Sequence, residues 1–137
     1  MQLADTSAWF IAGRAAKAGE EFSALVAEGV VGTCSMVAFE LLASARSGAE
    51  FDEIQEEVDA LRVYPIGQPQ WRRALRVYRE LAHQGGAHQR SVGHQGLLIA
   101  AAAETAGVEL LHYDEDFDRV AAITGQPTRW IAPRGSL

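Results

Sequence analysis

The chain has 137 residues and a formal net charge of −6, with 48% apolar and 22% charged residues; that suits one domain around one core and an ordinary soluble composition. No apolar run reaches the ~18 residues of a membrane span, and Met1-Gln2-Leu3-Ala4-Asp5 lacks the basic start of a signal peptide. Cys34 is the single cysteine, which excludes an internal disulfide or a zinc cluster and makes a reducing cytoplasm the expected compartment.

Read in chain order, Gln2 to Ala4 is a short strand ended by Asp5. A helix follows around Glu20 to Glu28 with Phe22, Leu25 and Val26 as its apolar face. Val30 to Cys34 reads as a second strand, and Ser35 as the N-cap of a helix through about Arg46. Phe51, Ile54, Val58 and Leu61 recur at helical spacing, so the six acids from Glu50 to Asp59 form a wet face. Val63 to Ile66 is an edge strand, because Pro65 cannot donate to a central ladder. Gln70 to His83 is a helix with an apolar stripe of Trp71, Leu75, Tyr78 and Ala82. Gln84 to Gly93 reads as a loop, followed by a helix over Leu97–Ala106, a strand over Val108–His112, an acidic turn, a helix through about Ile123, and a last strand at Arg129 to Ile131. Short apolar strands alternating with helices predict a parallel sheet covered on both faces. Such sheets place their sites beyond the carboxyl ends of the strands, so Asp5, Asp114 and Asp116 are expected to share one crevice.

The acids have ordinary explanations too. Asp5-Thr6-Ser7 can cap a helix, and Asp114 to Asp118 can be a solvated turn with a first-turn charge bias. A calcium loop starting at Asp114 would need glycine at its sixth position and glutamate at its twelfth, where Arg119 and Gly125 stand. Glu40 lies among Phe39, Leu41 and Leu42, and a carboxylate in such company needs a partner or must turn outward. Together, Asp5, Glu40, Asp114 and Asp116 suit a hard cation, Mg2+ or Mn2+, which wants carboxylate oxygens and relieves the repulsion between them.

Four stretches, "LADTSAW", the glutamate within "MVAFELLASAR", "HQGLLIAAAAE" and "LLHYDEDFDRVA", stand in an order that resembles a PIN domain, and more closely a VapC-type toxin of a type II toxin–antitoxin pair. The resemblance spans nearly the whole chain. It implies a three-layer α/β/α sandwich with a mainly parallel central sheet, and Mg2+- or Mn2+-dependent endoribonuclease cleavage of tRNA or ribosomal RNA. By motif, Asp5 and Glu40 match the first two acidic positions, Asp114 the acid after the later strand with Asp116 beside it, and Thr6 or Ser7 a supporting hydroxyl. The resemblance also implies a homodimer neutralised by a VapB-type antitoxin that often places a basic residue among the acids.

The third motif departs from the pattern. The family usually places aspartate just before "LLIAA", where this chain has Gly96. Glycine inside a helix costs roughly 1 kcal/mol relative to alanine, whereas aspartate near the helix start would be favoured by the dipole. Glu104, two turns on, is roughly 12 Å away along the axis. A glycine introduced to silence a toxic nuclease is the favoured account, a natural variant the other; both predict weak metal binding and slow or absent cleavage.

Arg72, Arg76 and Arg79 share one helix face, and with Arg73, Arg90, His83, His88 and His94 they could receive an RNA backbone or simply form a solvated basic face. His112 reads as structural, and Trp9, Trp71 and Trp130 as core or dimer anchors. Ser7 lacks a His–Asp partner at informative spacing, against a serine hydrolase. The leading reading is an impaired ribonuclease toxin; the alternative is a non-catalytic PIN-like module that binds antitoxin or RNA. A phosphatase-like aspartyl nucleophile ranks below both, because Ser7 stands where its second acid would be.

Overall fold

The computed structural model describes residues 1–86 and 88–137. Its strands are β1 (Gln2–Ala4), β2 (Val31–Cys34), β3 (Arg62–Tyr64), β4 (Glu109–His112) and β5 (Thr128–Trp130). Its helices are α1 (Thr6–Ala12), α2 (Ala16–Ala27), α3 (Ser35–Ala43), α4 (Gly48–Asp59), α5 (Gln68–His83), α6 (His88–Ser91), α7 (His94–Ala106) and α8 (Asp116–Thr124). The sheet is wholly parallel in the order β3-β2-β1-β4-β5, with Leu3 opposite Gly32 on one side and Leu110 on the other.

Strand alternation sends successive side chains to opposite faces. Leu3, Cys34 and Leu110 join a core with α3, α5, α7 and α8; Ala4, Val31 and Leu111 join a second with Ala8 of α1 and Phe22 of α2. This is the expected α/β/α sandwich. Every residue from Leu97 to Ala103 of α7 is buried, as a helix apolar on all sides must be. Gly32 has a packing reason. A Cβ there would come within 2.6 Å of the Tyr64 ring and 2.8 Å of the Arg62 carbonyl oxygen. Gly32→Ala is therefore expected to destabilise the fold by about 1–3 kcal/mol, the usual result of overpacking, read as a lower urea midpoint; an unchanged midpoint contradicts this close approach.

Several boundaries and one helix face differ from expectation. The stretch after β1 forms its own helix, α1, and α2 starts at Ala16 rather than Glu20. Cys34, not Ser35, occupies the cap position of α3, without a side-chain bond, and the helix ends at Ala43. A one-turn helix, α6, lies within the expected Gln84–Gly93 loop; Ala87 of that loop lies outside the described residues. The largest correction concerns α5, which buries Gln70, Ala74, Val77 and Leu81 and leaves Trp71 and Leu75 exposed at 48% and 63%. Both stripes have helical spacing, so spacing alone cannot choose between them. Gln70 can be buried because its amide donates to Thr105 Oγ1 at 3.0 Å and its Oε1 accepts from the Gly67 N–H at 2.8 Å.

Candidate active site

β1 is flanked by β2 and β4, so the connections leave it in opposite directions and a crevice opens beyond the carboxyl ends of β1 and β4. A cleft of about 180 Å³ lies there, lined by Asp5, Glu40, Val92, Gly93, Gln95, Gly96, Ile99, Asp114, Asp116 and Phe117. Asp5, Glu40, Gly96, Asp114 and Asp116 thus come from five elements or turns into one place. Val92 and Gly93, from the expected Gln84–Gly93 loop, and Gln95, ahead of the expected helix start at Leu97, also line it.

Asp5 is buried and caps α1: its Oδ2 accepts from the Ser7 N–H at 2.9 Å and from Ser7 Oγ at 2.6 Å. Ser7 Oγ in turn accepts from the Tyr113 N–H at 2.9 Å, tying the turn after β1 to the loop after β4. Asp5 is therefore both a cap and a cleft residue. Glu40 is half-buried and accepts from Thr6 Oγ1 at 3.1 Å, while its neighbour Phe39 faces solvent at 74% exposure. Asp114 Oδ1 accepts from the Asp116 N–H at 3.0 Å. His112 is fully buried, and its Nδ1 accepts from the Asp114 N–H at 3.1 Å. That bond assigns the ring proton to Nε2, and burial lowers the His112 pKa, so the ring is neutral. It lies within 5.1 Å of the Phe117 ring and 4.9 Å of Trp130.

Burial, then the nearby Asp114, raises the Asp5 pKa above the ordinary carboxylate value, against the pull of the Ser7 hydrogen bonds. Glu40 is raised by burial and by Asp5, and Asp116 by burial, Asp114 and Glu115. Cys34, close enough to feel Asp5 and Glu40, is pushed up to about 11, chiefly by burial, and stays a thiol. The cleft therefore offers hard carboxylate oxygens and no thiolate, which fits a hard divalent cation. The donors are sparse: among the described residues no three acidic, histidine or cysteine side chains stand close enough to enclose a metal ion unaided.

Gly96 stands where the resemblance expects an aspartate. It is the third residue of α7, and a Cβ built on it meets only the Phe117 ring at 3.7 and 3.8 Å, ordinary contact. Nothing in the packing calls for glycine. Gly96→Ala is expected to stabilise the fold by about 0.4–1 kcal/mol, because it removes freedom from the unfolded chain without strain; a lower urea midpoint would contradict that. Glu104 does not line the cleft. It pairs with Arg73, whose Nε and Nη2 donate to its carboxylate at 2.6 and 3.0 Å. Arg73 is thereby withdrawn from the basic stripe, whereas Arg72, Arg76, Arg79 and Arg90 are exposed. None of these four lines the cleft.

A doubly covered parallel sheet with carboxylates gathered beyond its central strands defines a PIN-like α/β protein. The PIN domain family profile matches residues 3–123. The chain is 50% identical to ribonuclease VapC18 of Mycobacterium tuberculosis, covering 97% of this chain and 96% of that protein. It is 38% identical to ribonuclease VapC51 of the same organism, over 82% of this chain and 80% of the relative. Among solved structures, a DNA-bound VapBC from Salmonella typhimurium aligns with a TM-score of 0.74 at 19% identity, covering 96% of this chain and 98% of that one. VapBC2 from Rickettsia felis, bound to a promoter DNA fragment, aligns at 0.72 and 15% identity, covering 94% and 97%. The chain belongs to the PIN-domain family and, within it, to the VapC group.

Proposed function

We propose that this protein is a VapC-type toxin: a metal-dependent endoribonuclease acting on structured RNA such as tRNA or ribosomal RNA, with a site impaired by Gly96. The observation that carries the reading is the convergence of Asp5, Glu40, Asp114 and Asp116 on one cleft, with Gly96 at its wall. Half identity to a ribonuclease across nearly the whole chain supports the activity class.

Asp5, Glu40, Asp114 and Asp116 are the side chains that would reach Mg2+ or Mn2+ in this cleft, and because no three of them stand close enough to hold it unaided, bridging waters would supply part of the shell. When bound, the cation would lower the pKa of a coordinated water and offset charge on phosphoryl oxygens. The chain's own contribution is orientation. Ser7 fixes the Asp5 carboxylate and Thr6 that of Glu40, so two ligands are held by neighbouring hydroxyls on one helix turn. Phe117 and Ile99 supply apolar wall. Arg72, Arg76, Arg79 and Arg90 would receive the RNA backbone away from the cleft.

The solved neighbours are toxin–antitoxin complexes, and an antitoxin is the expected partner here. A basic antitoxin side chain would be drawn to the uncompensated carboxylates. A groove of about 180 Å³ lined by Trp9, Phe10, Leu41, Ile54, Val58 and Leu61 would take an apolar antitoxin face. Trp71 and Leu75, left outward on α5, would meet a second copy in a homodimer. No helix among the described residues is long and apolar enough to cross a membrane.

The sparse donor set also favours a second reading, a PIN module that binds antitoxin or RNA without chemistry. Incubating a labelled tRNA pool with Gly96→Asp and Mn2+, beside the unsubstituted chain and an EDTA control, decides between them. Cleavage by the aspartate variant that EDTA abolishes supports the enzyme; intact RNA throughout supports the module.

A further inference from the structure

Among the described residues there are four ion pairs, and one of them reaches a carboxylate of the cleft: Arg119 Nη1 stands 3.6 Å from Asp116 Oδ1. The same Nη1 donates to Ser91 Oγ at 2.9 Å. Ser91 ends α6, and the next two residues, Val92 and Gly93, line the cleft together with Asp114, Asp116 and Phe117. The Arg119 side chain is thus a link between the α6–α7 connection and α8.

An exposed pair of this kind adds little to stability, and the Arg119 side chain is 39% exposed. Its hydrogen bond and its ion pair both use Nη1, leaving Nε and Nη2 without a partner among the described residues. A planar guanidinium with two free donors fits the oxygens of a phosphate, which it can grip in parallel. The need for such a group is electrostatic. An RNA strand entering a cleft of four carboxylates meets like charge; neither the arginines of α5 nor Arg119 lines that cleft, but among the described residues Arg119 is the arginine paired with one of its carboxylates.

We propose that Arg119 is a substrate-binding residue that holds an RNA phosphate at the mouth of the carboxylate cleft, with Asp116 and Ser91 orienting its guanidinium. This rests on the ribonuclease reading and adds a phosphate contact to it. Asp116 then has two neighbours to serve, the cleft interior and Arg119, and Ser91 carries the orientation to the segment that forms the cleft wall.

The test is a salt titration of binding to a fluorescein-labelled RNA hairpin, followed by anisotropy in Mg2+, with the full chain carrying its own Gly96 so that binding is read without cleavage. Arg119→Gln is expected to weaken binding about tenfold at low salt and to reduce the slope of log affinity against log salt by about 0.7, the loss of one single-strand phosphate contact. Arg119→Lys keeps the slope while losing part of the affinity. Ser91→Ala keeps the slope, because it removes no charge. An Arg119→Gln titration that overlays that of the unsubstituted chain overturns the proposal, and so does a Ser91→Ala variant that lowers the salt slope as far as Arg119→Gln does. If the unsubstituted chain shows no salt-dependent RNA binding, the ribonuclease reading itself fails and takes this inference with it. A kinetic measurement in the Gly96→Asp background gives a second readout: Arg119→Gln should raise KM with little change in kcat, the signature of lost uniform binding.

Discussion

Gly96→Asp is expected to convert a chain that binds Mn2+ weakly into one that binds it about 100-fold more tightly and cleaves RNA at least that much faster. Loss of a residue that merely supports a metal ligand typically costs 10–100-fold in affinity or activity, and a missing direct ligand should cost no less. The geometry permits the substitution: position 96 lies in the first turn of α7, its Cβ would touch only the Phe117 ring, and the cap residue Gly93 makes no side-chain bond. A carboxylate there faces the positive end of a buried helix and joins Asp5, Glu40, Asp114 and Asp116 around the same cleft. Calorimetric titration of both proteins with Mn2+ measures the first half, and a single-turnover cleavage assay the second. Equal Mn2+ affinities in the two proteins would remove position 96 from the ligand set. Tighter binding without cleavage would keep the ligand and reject the nuclease.

The cation-free chain is expected to melt at a higher temperature near pH 5 than near pH 7. Asp5, Glu40 and Asp116 each have a folded pKa raised by burial first, with neighbouring carboxylates adding to it. A group whose folded pKa lies above its unfolded value contributes stability that is fully present below the unfolded pKa and lost as the pH rises through the folded one. The window therefore opens near the ordinary carboxylate values, about pH 4, and extends upward to the raised folded values. Glu40 and Asp116 are partly exposed and screened by water, so buried Asp5 should dominate. Asp5→Asn keeps an oxygen for the Ser7 cap and should flatten the trend. Cation binding requires ionised carboxylates, so Mn2+ reverses the sign. At ~100 times its dissociation constant it adds about 2.7 kcal/mol, roughly a 10 °C rise in melting temperature for a domain of this size, in Gly96→Asp at pH 7 and much less at pH 5. A melting temperature independent of pH in EDTA, with Asp5→Asn indistinguishable from the unsubstituted chain, would show that the cleft carries no uncompensated charge.

What the sequence by itself determined was the alternation of short apolar strands with helices, and hence a parallel sheet covered on both faces. It also expected an edge strand around Val63, which β3 is, although Pro65 falls just after β3 rather than within it, and put an acid directly after β1 and another after β4. These features are local: strand length, a missing N–H, a polar residue ending an apolar run. Only the tertiary structure decided which side of α5 is buried. Trp71-Leu75 and Ala74-Val77-Leu81 satisfy the same period, and a single buried amide, Gln70 bonded to Thr105, belongs to the side that packs. It likewise decided that Glu104 belongs to Arg73 rather than to the cleft, and that Arg119 reaches Ser91. Those pairings join residues 28 and 31 apart along the chain. Periodicity carries no information across such separations; the packing of one helix against another creates the neighbours.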